Sequence, residues 1–86
     1  HLSTGRVAQR VAAILLELAD SFGHETEEGI KIDVPLTRQD IADLAGTTVE
    51  STIRTMSKWP KAGWITTEAH MIWIHDVQSI IALLRG

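Results

Sequence analysis

Hydrophobic positions near the start of the chain recur at three- and four-residue steps. Val7, Val11, Ile14, Leu15, Leu18 and Phe22 form one stripe, while Arg6, Gln9, Arg10, Glu17 and Asp20 fall mostly off it. That spacing predicts an amphipathic helix capped by Ser3 or Thr4 and running to about Phe22. Gly23-His24 ends it, and the segment from Glu25 to Gly29 reads as a polar loop. From Ile30 to Val34 apolar and polar residues alternate, the mark of a short half-buried strand, which Pro35 stops.

The stretch from Leu36 to Ile65 then changes period to that of two helices joined by a tight turn. Thr37 is a natural N-cap, and Asp40, three residues on, lies near the first-turn donors it would complement. Ile41, Leu44 and Ala45 supply an apolar face. Ala42 is small where a second helix must cross, and Gly46 can take the positive φ that ends a helix sharply. Thr47 or Thr48 caps the next helix, expected over Val49 to Trp59. At about 100° per residue, Val49, Thr52, Thr55, Met56 and Trp59 fall on its packing side. Glu50, Ser51, Ile53, Arg54, Ser57 and Lys58 fall on the other.

Pro60 ends or kinks this helix and Gly63 completes the turn. Trp64 to Thr67 and Met71 to Ile74 are β-rich runs separated by Glu68-Ala69-His70, a hairpin. Asp76 can cap a last helix in which Val77, Ile80, Ile81 and Leu84 pack inward. The order is helix, strand, helix, helix, hairpin, helix. This is a mainly α, α+β winged helix-turn-helix: a three-helix core with a wing and a short C-terminal helix. One domain fills residues 1–86, with the helix-turn-helix at about 37–59 and the wing at about 64–74.

The segment LTRQDIADLAGTTVESTIR, with the KAGWI that follows, resembles the C-terminal DNA-binding domain of CRP/FNR-type bacterial transcription regulators. The resemblance extends to LSTGRVAQRVAAILLELA near the start and to the last strands. It implies a cytoplasmic, sequence-specific DNA-binding domain, part of a dimer on a palindromic operator, with double-stranded DNA and RNA polymerase as partners. It also implies an N-terminal sensor domain and a long dimerisation helix, neither of which is in these residues. No cofactor is expected in this domain.

Composition narrows the alternatives. Eighty-six residues with 44% hydrophobic content make one small domain with a core of its own. With no cysteine, disulfides and thiolate chemistry are excluded within the chain. No apolar run approaches the roughly 18 residues of a membrane span. The chain opens on His1-Leu2 without a methionine, which points to a piece of a longer protein. The net charge of −3 argues mildly against DNA binding, and permits the competing reading of a winged helix that binds protein. The distribution answers part of this. From Arg38 to Lys61, Arg38, Arg54, Lys58 and Lys61 face Asp40, Asp43 and Glu50, a net of +1. Much of the acid lies in Glu25, Glu27 and Glu28.

Glu50 and Arg54 carry the strongest signal. A carboxylate accepts from cytosine N4, and a guanidinium grips guanine O6 and N7 in a fork. Two ordinary explanations compete: Thr47-x-x-Glu50 is a capping-box spacing, and Glu50 with Arg54 is an i,i+4 ion pair. The family resemblance implies that this pair reads a G·C pair in a TGA-type half-site. Ile53, apolar on the exposed side, suits a thymine methyl; some family members carry a small residue there. Val49 stands where some relatives have an arginine, which removes one guanine contact. Arg38, Gln39, Thr48, Ser51 and Lys58 are candidates for phosphate contacts, with Lys61 a weaker one. Trp59, Trp64 and Trp73 are read as core fillers rather than stacking platforms. His24, His70 and His75 have no metal-ligand spacing, and no catalytic constellation stands out. The expectation is a binding domain, not an enzyme.

Overall fold

Helices and hairpins alternate in the computed structural model, which describes residues 2–86, with side chains from Arg6 onward. Helix α1 (Leu2–Phe22) leads into β1 (Gly23–Thr26) and β2 (Gly29–Ile32). Helices α2 (Arg38–Ala45), α3 (Val49–Met56) and the one-turn α4 (Lys58–Lys61) follow. The wing strands β3 (Ile65–Glu68) and β4 (Met71–Ile74) precede α5 (Val77–Leu83). This is an α+β winged helix-turn-helix. The expected cap at Ser3 or Thr4 concerns side chains outside the described residues.

The core lies where α1, α2 and α3 meet the sheet. Val11, Ala12 and Leu15 of α1, Ile41 of α2, and Met56 of α3 are fully buried. They close on Ile32, Ile65, Ile72 and Ile74 from three strands and on Ile80 from α5. Nine large aliphatic side chains at zero exposure dominate the stability of so small a domain, since each contributes roughly 1.5–3 kcal/mol by burial. Trp59 is buried at 3% exposure, and Trp64 packs half-buried against the cluster. Trp73, expected as a core filler, instead lies half-buried on the other face of the sheet, with the Lys31 ammonium 5.3 Å from its ring centre.

Several expectations change. Gly23-His24, expected to end α1, and Glu25-Thr26 of the expected polar loop form strand β1, leaving Glu27-Glu28 as the turn, so the sheet has four antiparallel strands in the order β1-β2-β4-β3. Gly-His-Glu-Thr carries little strand propensity; pairing with β2 makes it a strand, and the Thr26 hydroxyl ties the turn by donating to Gly29 O at 2.7 Å. Leu44 points outward at 54% exposure while Ala42 is buried. Ile41, Ala45 and Ala42 centre the buried stripe about 100° away from Leu44, and a small Ala42 lets α3 approach. At the chain ends, Phe22 and Leu84 are exposed at 49% and 42%. Phe22 is the last residue of α1, past the layer that covers the stripe. Around Leu84 the backbone tightens into i→i−3 bonds, so Leu83 rather than Leu84 packs on the core.

Candidate nucleic-acid interface

The two central helices start and stop where local chemistry dictates. Thr37 is extended at φ −83° and ψ 166°, and its hydroxyl accepts from Asp40 N–H, while Asp40 accepts from Thr37 N–H. This is a complete capping box, with aspartate in the third position. Gly46 sits at φ 70°, and the Thr47 and Gly46 N–H groups return to the carbonyls of Ala42 and Asp43. Those paired returns are a Schellman stop. Arg10, reaching across from α1, donates to Gly46 O at 3.1 Å and fastens the turn to the first helix.

Thr48, not Thr47, caps α3: its hydroxyl accepts from Ser51 N–H at 3.1 Å. The capping box that Thr47 and Glu50 could have formed is therefore absent, and the Glu50 carboxylate is not spent on the helix end. Thr52, buried, satisfies its hydroxyl on the Thr48 carbonyl. With Met56 it anchors the packing side, while Val49 and Thr55 are half-buried.

Helix α3 is shorter than its sequence suggested. It ends at Met56, and Trp59 belongs to α4. Pro60 has no N–H and its ring would meet the carbonyl four residues back, so a continuous helix through it is disfavoured. The chain instead begins a new turn at Lys58, where a proline in the first turn loses nothing. The Trp64 N–H then closes onto Trp59 O at 2.9 Å, leading into the wing.

The opposite side of α3 is left open. Glu50, Ile53 and Arg54 are all exposed. Among the described residues, ion pairs form only between His24 and Asp33 and between Lys31 and Asp33. Glu50 and Arg54 thus share a helix face one turn apart without pairing. Ile53 stands between them at 50% exposure. Ser51 is half-buried beside the cap and Lys58 is exposed on α4.

At the start of α2, Gln39 is turned back along its own helix, its amide donating to Asp43 at 2.8 Å. Arg38 is different. It is half-buried, and burial pushes its guanidinium below the ordinary value. Its one side-chain bond among the described residues donates to the neutral hydroxyl of Thr67 in the wing, at 3.2 Å. No carboxylate forms an ion pair with it among the described residues. Arg38 is thus a partly desolvated cation with no ion-pair partner among the described residues. Sequence reasoning missed Thr67, because nothing in the wing's own pattern places it near Arg38.

Among the described residues, no three His, Asp or Glu side chains group to hold a metal. No helix among them is long and apolar enough to cross a membrane.

Residues 9–83 match a family described as the Crp-like helix-turn-helix domain. Over 79 residues the chain is 31% identical to the CRP-like cAMP-activated global transcriptional regulator of Mycobacterium tuberculosis, covering 92% of this chain and 35% of that protein. It is 35% identical over 72 residues to the lactate racemization regulatory protein of Lactiplantibacillus plantarum, covering 83% of this chain and 33% of that one. The chain therefore spans only about a third of these relatives. Among solved structures, a CRP/FNR-family transcriptional regulator from Thermus thermophilus superposes with a TM-score of 0.81 at 26% identity, covering 99% of this chain and 43% of that one. The CO-dependent transcription factor CooA from Carboxydothermus hydrogenoformans shares the fold, with a TM-score of 0.82 at 23% identity, covering 90% of this chain and 36% of that one.

Proposed function

The chain belongs to the Crp-like helix-turn-helix domain family, and we propose that it binds DNA sequence-specifically and reads its site as follows. Helix α3 enters the major groove, and Glu50 and Arg54 contact base edges from its first two turns. Arg54 takes guanine O6 and N7, Glu50 accepts from cytosine N4, and Ile53 meets a thymine methyl. The observation that carries this reading is that Glu50 and Arg54 are exposed on one face with neither a cap nor an ion pair to occupy them.

Arg38, Gln39, Thr48, Ser51 and Lys58 contact phosphates and set the register of the helix on the duplex. Arg38 is the best supported, as a half-buried cation with no ion-pair partner among the described residues. Gln39 must give up Asp43 to take part. With a net charge of −3, one domain alone has a weak long-range attraction for DNA. Useful affinity then comes from two copies on a palindrome, the arrangement we propose for the longer cytoplasmic protein. That protein's effector-sensing part, and any contact with RNA polymerase, belong to the same proposal.

The test is selection from random duplex DNA by this chain fused to a leucine zipper. Enrichment of a palindrome with TGA-like half-sites is the expected result. A folded fusion that enriches no sequence at low salt would overturn the reading in favour of a protein-binding winged helix.

A further inference from the structure

We infer that the wing aims the phosphate-binding arginine: Thr67 of β3 is a positioning residue for Arg38, so that hairpin and helix-turn-helix grip the backbone as one unit. This role presupposes the proposed contact between Arg38 and a phosphate.

Two bonds join the wing to the start of α2. The Arg38 guanidinium donates to the Thr67 hydroxyl at 3.2 Å, and the Leu36 N–H donates to the carbonyl of His70, at the wing tip, at 2.9 Å. Leu36 is buried at 6% exposure, so the segment that delivers Arg38 is fixed on both sides, by the core and by the tip. The sheet register puts Thr67 opposite Ile72 and Ile65 opposite Ile74. Strand alternation therefore turns Thr67 to the same face as Ile65, the face that meets the helices. There it lies beyond the edge of the core, exposed, with its hydroxyl toward α2.

The chemistry of the bond matters. Had a carboxylate held Arg38, the guanidinium would be neutralised and its affinity for phosphate reduced. A hydroxyl fixes the direction of the fork and leaves the charge and its remaining N–H donors free. A free arginine samples many rotamers and loses part of that freedom on binding. A tethered one has lost part of it before DNA arrives, which strengthens binding by preorganisation. The wing itself is held: the His75 ring bonds the Thr66 hydroxyl at 2.9 Å and the Glu28 carbonyl on the neighbouring hairpin. Thr67 is thus carried on an edge strand held along its length by β4 and tied by Thr66 to His75.

The experiment measures binding of this chain to a fluorescein-labelled duplex by anisotropy at low salt, for the parent, Thr67→Val, Thr67→Ser, Arg38→Ala and the Arg38→Ala/Thr67→Val double variant. Valine keeps the shape and suits a strand but cannot accept the bond. Thr67→Val is expected to weaken binding about three- to tenfold, the range of one hydrogen bond. Thr67→Ser is expected to restore it, and Thr67→Val is expected to cost nothing further once Arg38 is alanine. In the DNA-free chain, the Arg38 side-chain ¹⁵N–¹H signals should sharpen toward fast rotation in Thr67→Val alone. A Thr67→Val that binds like the parent, or that loses as much in the Arg38→Ala background, would overturn the positioning role while leaving Arg38 as a phosphate contact. An Arg38→Ala chain with unchanged binding would remove the phosphate contact itself and the positioning role with it.

Discussion

Thr37 and Asp40 close the first turn of α2 on each other: Asp40 N–H donates to the Thr37 hydroxyl at 3.0 Å, and Thr37 N–H donates to the Asp40 carboxylate at 2.9 Å. The Thr37 backbone N–H, followed by its hydroxyl, holds the Asp40 carboxyl below its ordinary value. At α5, the Ser79 hydroxyl and then its backbone N–H do the same for Asp76. In both cases the folded value lies below the unfolded one, so the ionised carboxylate favours the fold. That stabilisation is complete above the unfolded Asp value, about 3.9, and is lost as pH falls through the lowered folded values. Urea midpoints should therefore drop below about pH 4, and Asp40→Asn and Asp76→Asn should each flatten that dependence. Thr37→Ala should cost about 0.5–2 kcal/mol near neutral pH.

Gly46→Ala tests the turn between the two central helices. An added Cβ meets nothing nearer than the Arg10 guanidinium at 3.7 Å, so space is not the obstacle. The backbone is, because φ 70° is left-handed. The expected loss is about 1–2 kcal/mol by urea denaturation, and Gly46→Asn should lose less. Equal losses for the two would mean that sterics rather than backbone conformation sets the turn.

The wing tip is strained. Ala69 and His70 both have positive φ, 54° and 65°, in the two-residue connection between β3 and β4. A type I′ hairpin turn demands that conformation and favours Asn-Gly. Replacing Ala69-His70 by Asn-Gly should raise stability by about 1 kcal/mol or more, read as a higher melting temperature. The tie from Leu36 N–H to residue 70 uses a carbonyl and survives the change.

Arg54→Ala should weaken binding to the selected operator by about 1–3 kcal/mol and relax discrimination at one base pair. Lys58→Ala should instead weaken binding to every sequence alike and reduce the salt slope by about 1. Anisotropy titrations on operator and scrambled duplexes separate the two patterns. An Arg54→Ala chain that loses equally on both would remove the base-reading role.

The pattern of residues determined a good deal unaided. Periodicity located the long first helix, and the Thr37–Asp40 pairing and Gly46 bracketed α2 because cap and stop chemistry is local. Asp76 announced α5 for the same reason, and the β-rich runs flanking residues 68–70 announced the wing. The open face of α3 followed from helical geometry alone.

Other features depended on what packs against what. β1 exists because β2 offers it a partner, which its own composition does not request. Ala42 is buried at the crossing as its size suggested, but Leu44 is left outward because α1 and α3 cover the other side of α2, which only the packing of those helices decides. Thr48 rather than Thr47 caps α3, and the Schellman stop spends on Ala42 the Thr47 N–H that a capping box would have offered Glu50, which leaves Glu50 uncommitted. The contact between Arg38 and Thr67 joins residues 29 positions apart. A periodicity reports which side of an element is apolar. It carries no record of which element lies opposite, and the tether between helix and wing exists only once the sheet has folded onto α2.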